Sequence, residues 1–203
     1  MRTRLKICGV TNLADARAAV DCGVDILGFN FYEASPRYVH VSDALDIING
    51  LPFFISTVGI LVRPTRKIME GVIEKSGVGA LQIYEPIDDY KKLPVPVILA
   101  VRMERGAISF PNDTDAEMIL LDTFSKTEYG GTGRRFDWSW IPDSIPRERL
   151  ILAGGINPGN IDEALRQVGP AVIDVAGGAE SSPGEKDRQK MIQLVKKVRQ
   201  FCM

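Results

Sequence analysis

Eight short apolar runs, most of them separated by segments with helical spacing, constrain the fold of this chain more than any other feature. Runs of this length without polar alternation are typical of strands that are buried on both faces. Strands that alternate with helices are joined by right-handed crossovers and lie parallel. The predicted strands are 5–8, 26–31, 55–62, 80–83, 97–101, 118–121, 150–153 and 171–175.

Helical spacing between the runs is clear in five places and weak in three. The clear helices are predicted at 12–22, 42–49, 65–76, 158–167 and 186–202, with Asn12 as an N-cap and Gly23, Gly50 and Gly77 as stops. Only a short helical turn is expected at 88–92, and a helix is expected to begin near Asp137 and Trp138. Because 106–115 reads mostly as loop, the helix after the fifth strand should be short or missing.

Two architectures fit this order, a closed (β/α)8 barrel and an open doubly wound sheet. The count of eight strands favours the barrel, and so does the length of 203 residues, since such barrels run from about 200 residues upward. The open sheet predicts a G-x-G-x-x-G motif after the first strand, and Cys8-Gly9-Val10-Thr11 does not supply it. We therefore predict a single (β/α)8 TIM barrel domain of minimal size over residues 1–203.

Composition excludes several classes of function. The chain is 45% hydrophobic, with a formal net charge of -1 and both signs scattered along it, which is unlike a nucleic-acid or membrane-surface binder. No secretory signal or membrane span is apparent, so a cytoplasmic protein is expected. Three cysteines and one histidine, His40, give no support to a disulfide scaffold, a zinc site or a Ser-His-Asp triad. Acid-base chemistry would fall to carboxylates or a thiol.

Asp122 stands at the exit of the sixth predicted strand. A carboxylate in that position is held rigidly, and the loop that follows leads to Gly130-Gly131-Thr132-Gly133, where glycines let the backbone approach a ligand. Catalytic groups of (β/α)8 enzymes lie at the carboxyl ends of the strands. Asp122 is therefore a candidate active-site residue.

The first strand carries two chemically active side chains on one face. Because side chains alternate along a strand, Lys6 and Cys8 should point into the barrel. A buried Lys6 needs a partner, and either Asp122 or Asp174 would serve. The lysine charge would also favour the thiolate of Cys8.

Paired glycines follow the seventh and eighth strands, at Gly154-Gly155 and Gly177-Gly178. Many (β/α)8 enzymes hold phosphate at this position, on backbone N–H groups. Arg37, after the second strand, offers a planar fork that suits a substrate carboxylate. These residues predict an anionic, phosphorylated ligand.

Taken together, the motifs resemble those of the phosphoribosylanthranilate isomerase (TrpF) family, in family order from the first strand to the last helix. The matching segments are Lys6-Ile7-Cys8-Gly9, Gly28-Phe29 through Ser35-Pro36-Arg37, Val58-Gly59, Leu120-Leu121-Asp122 with the glycines at 130–133, Phe136-Asp137-Trp138, Leu152-Ala153-Gly154-Gly155-Ile156 with Pro158 and Asn160, and Asp174 through Asp187.

The resemblance implies a cofactor-free, metal-free Amadori rearrangement of a phosphosugar in tryptophan biosynthesis. Cys8 would be the general base at sugar C2', and Asp122 the general acid at the ring oxygen. Arg37 would hold the anthranilate carboxylate. The remaining implied binding residues are Gln82, which is retained, Asp174 at the sugar, and Gly154, Gly155, Gly177 and Gly178 at the phosphate.

The chain departs from the family pattern in two places. Tyr84 stands where a histidine is expected, with Glu85 in place of a glycine, and Gly177-Gly178 falls where hydroxyl side chains are expected. Two alternatives therefore stay open: a related histidine-pathway or dual-substrate Amadori isomerase, and an inactive phosphosugar-binding barrel. The sequence also leaves open whether the protein is a monomer or a homodimer.

Overall fold

The computed structural model describes residues 2–104, 115–123 and 135–201. Eight strands form one closed barrel in which every neighbouring pair is parallel, and the eighth strand pairs with the first. Their bounds are β1 Arg4–Cys8, β2 Ile26–Asn30, β3 Ser56–Val62, β4 Ala80–Tyr84, β5 Val97–Met103, β6 Met118–Thr123, β7 Leu150–Leu152 and β8 Val172–Val175. The predicted (β/α)8 barrel is confirmed.

Five α-helices in the described part of the chain cover the outside of the barrel. They are α1 Leu13–Cys22, α2 Val41–Asn49, α3 Arg66–Ser76, α4 Ile161–Val168 and α5 Arg188–Phe201. The side chain of Asn12 accepts a hydrogen bond from the backbone N–H of Asp15 at the start of α1, and Gly23 ends that helix in the left-handed region. Within the described residues, no helix is both long and apolar enough to cross a membrane.

The connection from β4 to β5 differs from the prediction. Residues 88–92 form an irregular segment with a turn, so the predicted helical turn is wrong. Arg66 at the start of α3 explains the difference, because its guanidinium donates to the backbone carbonyls of Asp89, Lys91 and Lys92. These carbonyls are satisfied by a side chain from another element and need no helical partner.

The two segments that follow β5 and β6 are only partly described. The loop predicted at 106–115 falls mostly outside the described residues, as do the glycines at 130–133. The helix expected near Asp137 is a single 3-10 turn, Trp138–Trp140, which Asp137 caps. It ends before Pro142, whose missing N–H does not support a continuing helix.

Alternation along the strands divides the buried side chains into two layers. On β1, Leu5 and Ile7 pack outward against the helices, whereas Cys8 contacts the apolar cluster inside the barrel and Lys6 is bonded there to side chains of β4 and β8. A two-stranded ribbon after β8, formed by β9 Glu180–Ser182 and β10 Glu185–Lys186, lies ahead of α5. This ribbon supplies two further charged groups to the carboxyl end of the barrel.

Candidate active site at the carboxyl ends of the strands

A cavity of about 700 Å³ opens at the carboxyl ends of the barrel strands. All nine site residues predicted from the sequence line it: Cys8, Arg37, Gln82, Asp122, Gly154, Gly155, Asp174, Gly177 and Gly178. The loops after β2, β7 and β8 and the start of α5 complete its wall. The structure therefore brings together residues that are as much as 170 positions apart in the chain.

Lys6 lies beneath the cavity with a fully buried side chain. Its ammonium donates to Asp174 Oδ1 and to Gln82 Oε1, both at 3.0 Å. Of the two partners that the sequence allowed, the structure selects Asp174. Burial disfavours the ammonium, but the charges of Asp174 and Cys8 outweigh it, so the pKa of Lys6 is raised. Lys6 is a fixed positive charge at the base of the site.

Cys8 ends β1 on the cavity side, next to two lysines. Lys6 approaches from the same strand, and the ammonium of Lys186 donates to the Cys8 carbonyl at 2.7 Å. Burial raises the pKa of the Cys8 thiol, and the two lysine charges lower it by less, so the pKa stays above its ordinary value. Lys6 favours the thiolate, as predicted, but desolvation has the larger effect on the pKa of the thiol.

Asp122 is the penultimate residue of β6, which continues for one residue beyond the predicted strand exit. Its Oδ1 accepts from the backbone N–H of Thr123 at 2.7 Å, and its Oδ2 accepts from the Tyr84 hydroxyl at 3.0 Å. Burial raises the pKa of this carboxyl to about 6, against the lowering effect of the two donors. A carboxyl with this pKa holds a proton in a useful fraction of molecules near neutral pH.

Tyr84 takes part in the site in a way that the sequence did not predict. The sequence identified Tyr84 only as a departure from the family pattern. In the structure its hydroxyl donates to Asp122, and Gln82 Nε2 donates to the tyrosine oxygen at 3.2 Å. The signal available in the sequence was its spacing of two from Gln82 on one strand, which places both side chains inside the barrel.

Arg37 is held by a carboxylate that the sequence analysis also missed. Its Nε and Nη2 donate to both oxygens of Glu180, at 2.7 to 3.1 Å, and Lys186 Nζ donates to the same carboxylate at 2.5 Å. Burial alone would raise the pKa of Glu180, but Arg37 and Lys186 lower it overall. Gly9 leaves room for the arginine, since a Cβ there would lie 2.5 Å from Arg37 Cδ.

The predicted glycine pairs make the loops after β7 and β8 meet closely. A Cβ on Gly178 would lie 2.0 Å from the carbonyl oxygen of Ile156, and a Cβ on Gly154 would lie 2.3 Å from Thr123 Oγ1. Gly154 also has a positive φ of 86°, which favours glycine. Gly177 opens a 3-10 turn, Gly177–Ala179, at the cavity. The backbone of both loops is thus exposed to a ligand at close range.

The comparisons with known proteins extend over nearly the whole chain. The family model of N-(5'-phosphoribosyl)anthranilate (PRA) isomerase matches residues 5–197. The N-(5'-phosphoribosyl)anthranilate isomerase of Trichlorobacter lovleyi is 38% identical over 202 residues, which cover 97% of this chain and 98% of that protein.

Two solved structures with the same fold bear on ligand and assembly. A phosphoribosyl anthranilate isomerase in complex with reduced 1-(o-carboxyphenylamino)-1-deoxyribulose 5-phosphate is 32% identical, with a TM-score of 0.78 over 98% of this chain and 99% of that one. Monomers generated from the dimeric enzyme of Thermotoga maritima are 32% identical, with a TM-score of 0.77 over 97% and 98% of the two chains.

Proposed function

This chain belongs to the N-(5'-phosphoribosyl)anthranilate isomerase family, and we propose that it carries out the family's reaction with Cys8 as general base and Asp122 as general acid. It is an isomerase of tryptophan biosynthesis. The reaction is the Amadori rearrangement of N-(5-phosphoribosyl)anthranilate to 1-(2-carboxyphenylamino)-1-deoxyribulose 5-phosphate. The observation that carries the roles is that Cys8 and Asp122 line one cavity with Arg37 and both glycine pairs.

The reaction delivers two protons and removes two, and the first transfer of each kind is assigned to Asp122 and Cys8. The Asp122 carboxyl gives its proton to the furanose ring oxygen, the C1'–O bond breaks onto that oxygen, and the nitrogen lone pair forms an iminium at C1'. The iminium acidifies C2', so the Cys8 thiolate removes the C2' proton and a C1'=C2' double bond forms. The C2' hydroxyl then loses its proton, C1' gains one, and the amino ketone results.

The protonation states of the two groups predict the pH dependence of turnover. The reactive pair is a thiolate with a carboxylic acid, yet the carboxyl has a pKa of about 6 and the thiol pKa is raised above its ordinary value. The reactive pair is therefore a minor but constant fraction between these two pKa values. We expect kcat/KM to be level across this interval and to fall below about pH 6 and above the pKa of the thiol.

The cation cluster around Glu180 suits the substrate carboxylate. Arg37 and Lys186 carry two positive charges against one negative charge on Glu180, which leaves a net attraction for an anion. Glu180 takes two of the five N–H donors of the guanidinium. We place the anthranilate carboxylate on the cavity side of Arg37.

The opposite wall of the cavity suits the phosphate and the sugar. We assign the phosphate to backbone N–H groups of the loops that contain Gly154, Gly155, Gly177 and Gly178, which approach each other too closely for side chains. Asp174 would contact the sugar hydroxyls while it pairs with Lys6. Gln82 lines the cavity, and its amide nitrogen donates to the Tyr84 oxygen.

Two alternatives make distinct predictions. The related histidine-pathway isomerase uses an aspartate where this chain has Cys8, so activity on that substrate would have to come from a thiol. An inactive phosphosugar-binding barrel would not need to retain Cys8, Arg37 and Asp122 in one cavity. The assay below separates the proposed function from both, because neither an inactive barrel nor an isomerase restricted to the histidine-pathway substrate would turn over phosphoribosylanthranilate.

The assay follows the loss of phosphoribosylanthranilate fluorescence in the parent protein, Cys8→Ala and Asp122→Asn. Each substitution should lower kcat by roughly 10²–10⁴-fold, the range typical of general acid-base groups. Cys22→Ala is the matched control, because the Cys22 thiol faces the carbonyl of Arg188 outside the barrel, and it should turn over at the parental rate. Parental rates in both active-site variants would refute the roles, and an inactive parent would favour the binding barrel.

For the quaternary structure, we propose a homodimer formed at the amino end of the barrel. Phe53 is 99% exposed and packs edge-on against Phe54, with 5.7 Å between ring centroids. Beside them lies an apolar cavity of about 580 Å³ that includes Ile48, Pro96 and Met118. An aromatic protrusion beside an apolar cavity suits a two-fold contact in which the protrusion of each copy fills the cavity of the other. The Thermotoga maritima relative is dimeric.

Light scattering coupled to size exclusion tests this assembly. The parent should elute as a dimer, and Phe53→Glu should give a monomer that keeps its fold by circular dichroism. Ile87→Glu, at another exposed apolar residue, should remain dimeric. A monomeric parent at micromolar concentration would rule the dimer out.

We also place the protein in the cytoplasm. The proposed base is a free thiol, which a reducing compartment preserves. Localisation of a tagged full-length chain would test this, and recovery from an oxidising compartment would contradict it.

A further inference from the structure

Four buried side chains form a continuous hydrogen-bonded series from β1 to β6. Lys6 Nζ donates to Gln82 Oε1 at 3.0 Å, Gln82 Nε2 donates to Tyr84 at 3.2 Å, and the Tyr84 hydroxyl donates to Asp122 Oδ2 at 3.0 Å. All four residues are at most 5% exposed. The proposed mechanism uses only the last of them.

The series has one direction, which Lys6 sets. An ammonium has donors and no acceptor, so the oxygen of the Gln82 amide must face Lys6. The amide nitrogen must then face Tyr84, where it donates to the phenol oxygen. The phenol therefore directs its own hydrogen away from Gln82, and Asp122 is the acceptor it reaches.

Among the described residues, one donor binds each carboxyl oxygen of Asp122. Thr123 N–H binds Oδ1 at 2.7 Å and Tyr84 binds Oδ2 at 3.0 Å. These two bonds fix the plane of the carboxyl and take one lone-pair direction on each oxygen. Because Asp122 lines the substrate cavity, an acidic proton on a remaining lone pair is presented to that cavity.

We propose that Tyr84 is a positioning residue of the reaction, which holds the Asp122 carboxyl so that its proton faces the substrate, and that Lys6 and Gln82 fix the direction of the Tyr84 hydroxyl. This proposal rests on the proposed role of Asp122 as the acid. The family pattern has a histidine at this position, so the tyrosine is a feature of this chain.

Loss of the Tyr84 donor should change the ionisation of Asp122 in a known direction. A hydrogen bond to the carboxylate stabilises the charged form, so its removal raises the pKa of Asp122. Among the described residues, the other charged or titratable groups that face this part of the cavity are Lys6, Cys8 and Asp174. Arg102 on β5 is the strand partner of Asp122 and forms an ion pair with Glu85. Tyr84→Phe leaves all of these in place.

The first test is the pH dependence of kcat/KM for Tyr84→Phe. The acid limb, which falls at about pH 6 in the parent because it reports Asp122, should move to a pH about one unit higher. We expect kcat to fall roughly tenfold with KM changed by less than about twofold, because the substrate contacts remain and only the acid is misplaced. Tyr90→Phe, outside the cavity, is the matched control and should keep the parental profile.

The second test combines Tyr84→Phe with Asp122→Asn. If Tyr84 acts through Asp122, the double variant should be no slower than Asp122→Asn alone. Tyr84→His keeps a donor and should retain the parental acid limb. This result would show that the change in Tyr84→Phe comes from the lost donor and not from a defect in folding.

Three results would overturn the proposal. They are an unmoved acid limb in Tyr84→Phe, a further loss of activity when it is added to Asp122→Asn, and full activity of Asp122→Asn alone. Only the third also removes Asp122 from the mechanism, so failure of the positioning role and failure of the acid assignment are distinguishable.

Discussion

The two ends of the barrel interior differ in chemistry although the same eight strands build both. Toward the amino ends the interior side chains are apolar, as at Val58, Ile98, Ile151 and Val172. Toward the carboxyl ends the interior also holds charged and polar side chains, including the buried residues Lys6, Gln82, Asp122 and Asp174. The apolar end gains free energy from burial, whereas each buried charge at the other end is tolerated only with a partner. Stability and catalysis thus depend on different layers of one barrel.

Removal of Lys6 is the most severe way to test the polar layer. Lys6→Met keeps the length of the side chain but leaves Asp174 as a buried carboxylate without its cation and leaves Gln82 Oε1 without its donor. Loss of one partner of a buried ion pair costs about 3–5 kcal/mol. We expect the free energy of unfolding in urea to fall by about this amount, with severe loss of turnover. A variant as stable as the parent would show that the polar layer is not held by this pair.

Truncation in the apolar layer should separate stability from activity. Ile151 is almost fully buried inside the barrel and does not line the active-site cavity. Ile151→Ala should lower the free energy of unfolding by about 2–5 kcal/mol and leave kcat/KM at 25 °C close to the parental value. A large loss of kcat/KM in the folded protein would mean that the two layers are mechanically coupled.

Neutralisation of Asp122 should reveal how much this buried catalytic carboxyl lowers the free energy of unfolding when it is ionised. Its pKa is about 6 when folded, above the ordinary value of 3.8, so the folded state binds the proton more tightly than the unfolded chain does. Its contribution to stability is therefore complete below about pH 3.8 and is lost as the pH rises through about 6. Asp122→Asn should be more stable than the parent at pH 8, on the order of 2 kcal/mol, and the gain should vanish at pH 4. Thermal unfolding of the parent and of Asp122→Asn at pH 8 and pH 4 measures the difference in stability between the two proteins. The same difference at both pH values would contradict the raised pKa.

The smallest expected effect concerns the orientation of Arg37. Glu180→Gln keeps the shape of the carboxylate but removes the charge that Arg37 and Lys186 share. We expect KM for phosphoribosylanthranilate to rise roughly tenfold with kcat little changed, because the arginine loses its fixed fork geometry. Glu185→Gln, an exposed carboxylate on the same ribbon, is the control. An unchanged KM would show that Arg37 is positioned by other contacts.

Local patterns predicted most of the fold, and the nine site residues predicted from the sequence all line the cavity. The strand runs, the alternation that turns Lys6 and Cys8 inward, and the caps at Asn12 and Gly23 depend on neighbours within a few residues, and each is found in the structure. The error at 88–92 arose where a side chain from another element intervened. Arg66 binds the carbonyls of 89, 91 and 92, and so replaces a helix by an irregular segment.

The hydrogen-bond and ion-pair partners of the site residues were the least predictable feature of the structure. Glu180 lies 143 positions from Arg37, and Tyr84 lies 38 positions from Asp122. No local spacing encodes such pairs. The family pattern helped with Arg37 and Asp122 because their positions match it, but it offered no account of a tyrosine at position 84.

The sequence by itself determined the order of strands and helices, the inward face of the first strand, and the set of groups available for acid-base chemistry, because these follow from periodicity and side-chain type. Tertiary structure decided that Lys6 pairs with Asp174 and not with Asp122, that the Cys8 thiol has a raised pKa despite two nearby lysines, and that Tyr84 binds the acid. The physical reason is that partner choice and desolvation depend on distances across the closed barrel, which are fixed only when residues remote in the chain have packed together.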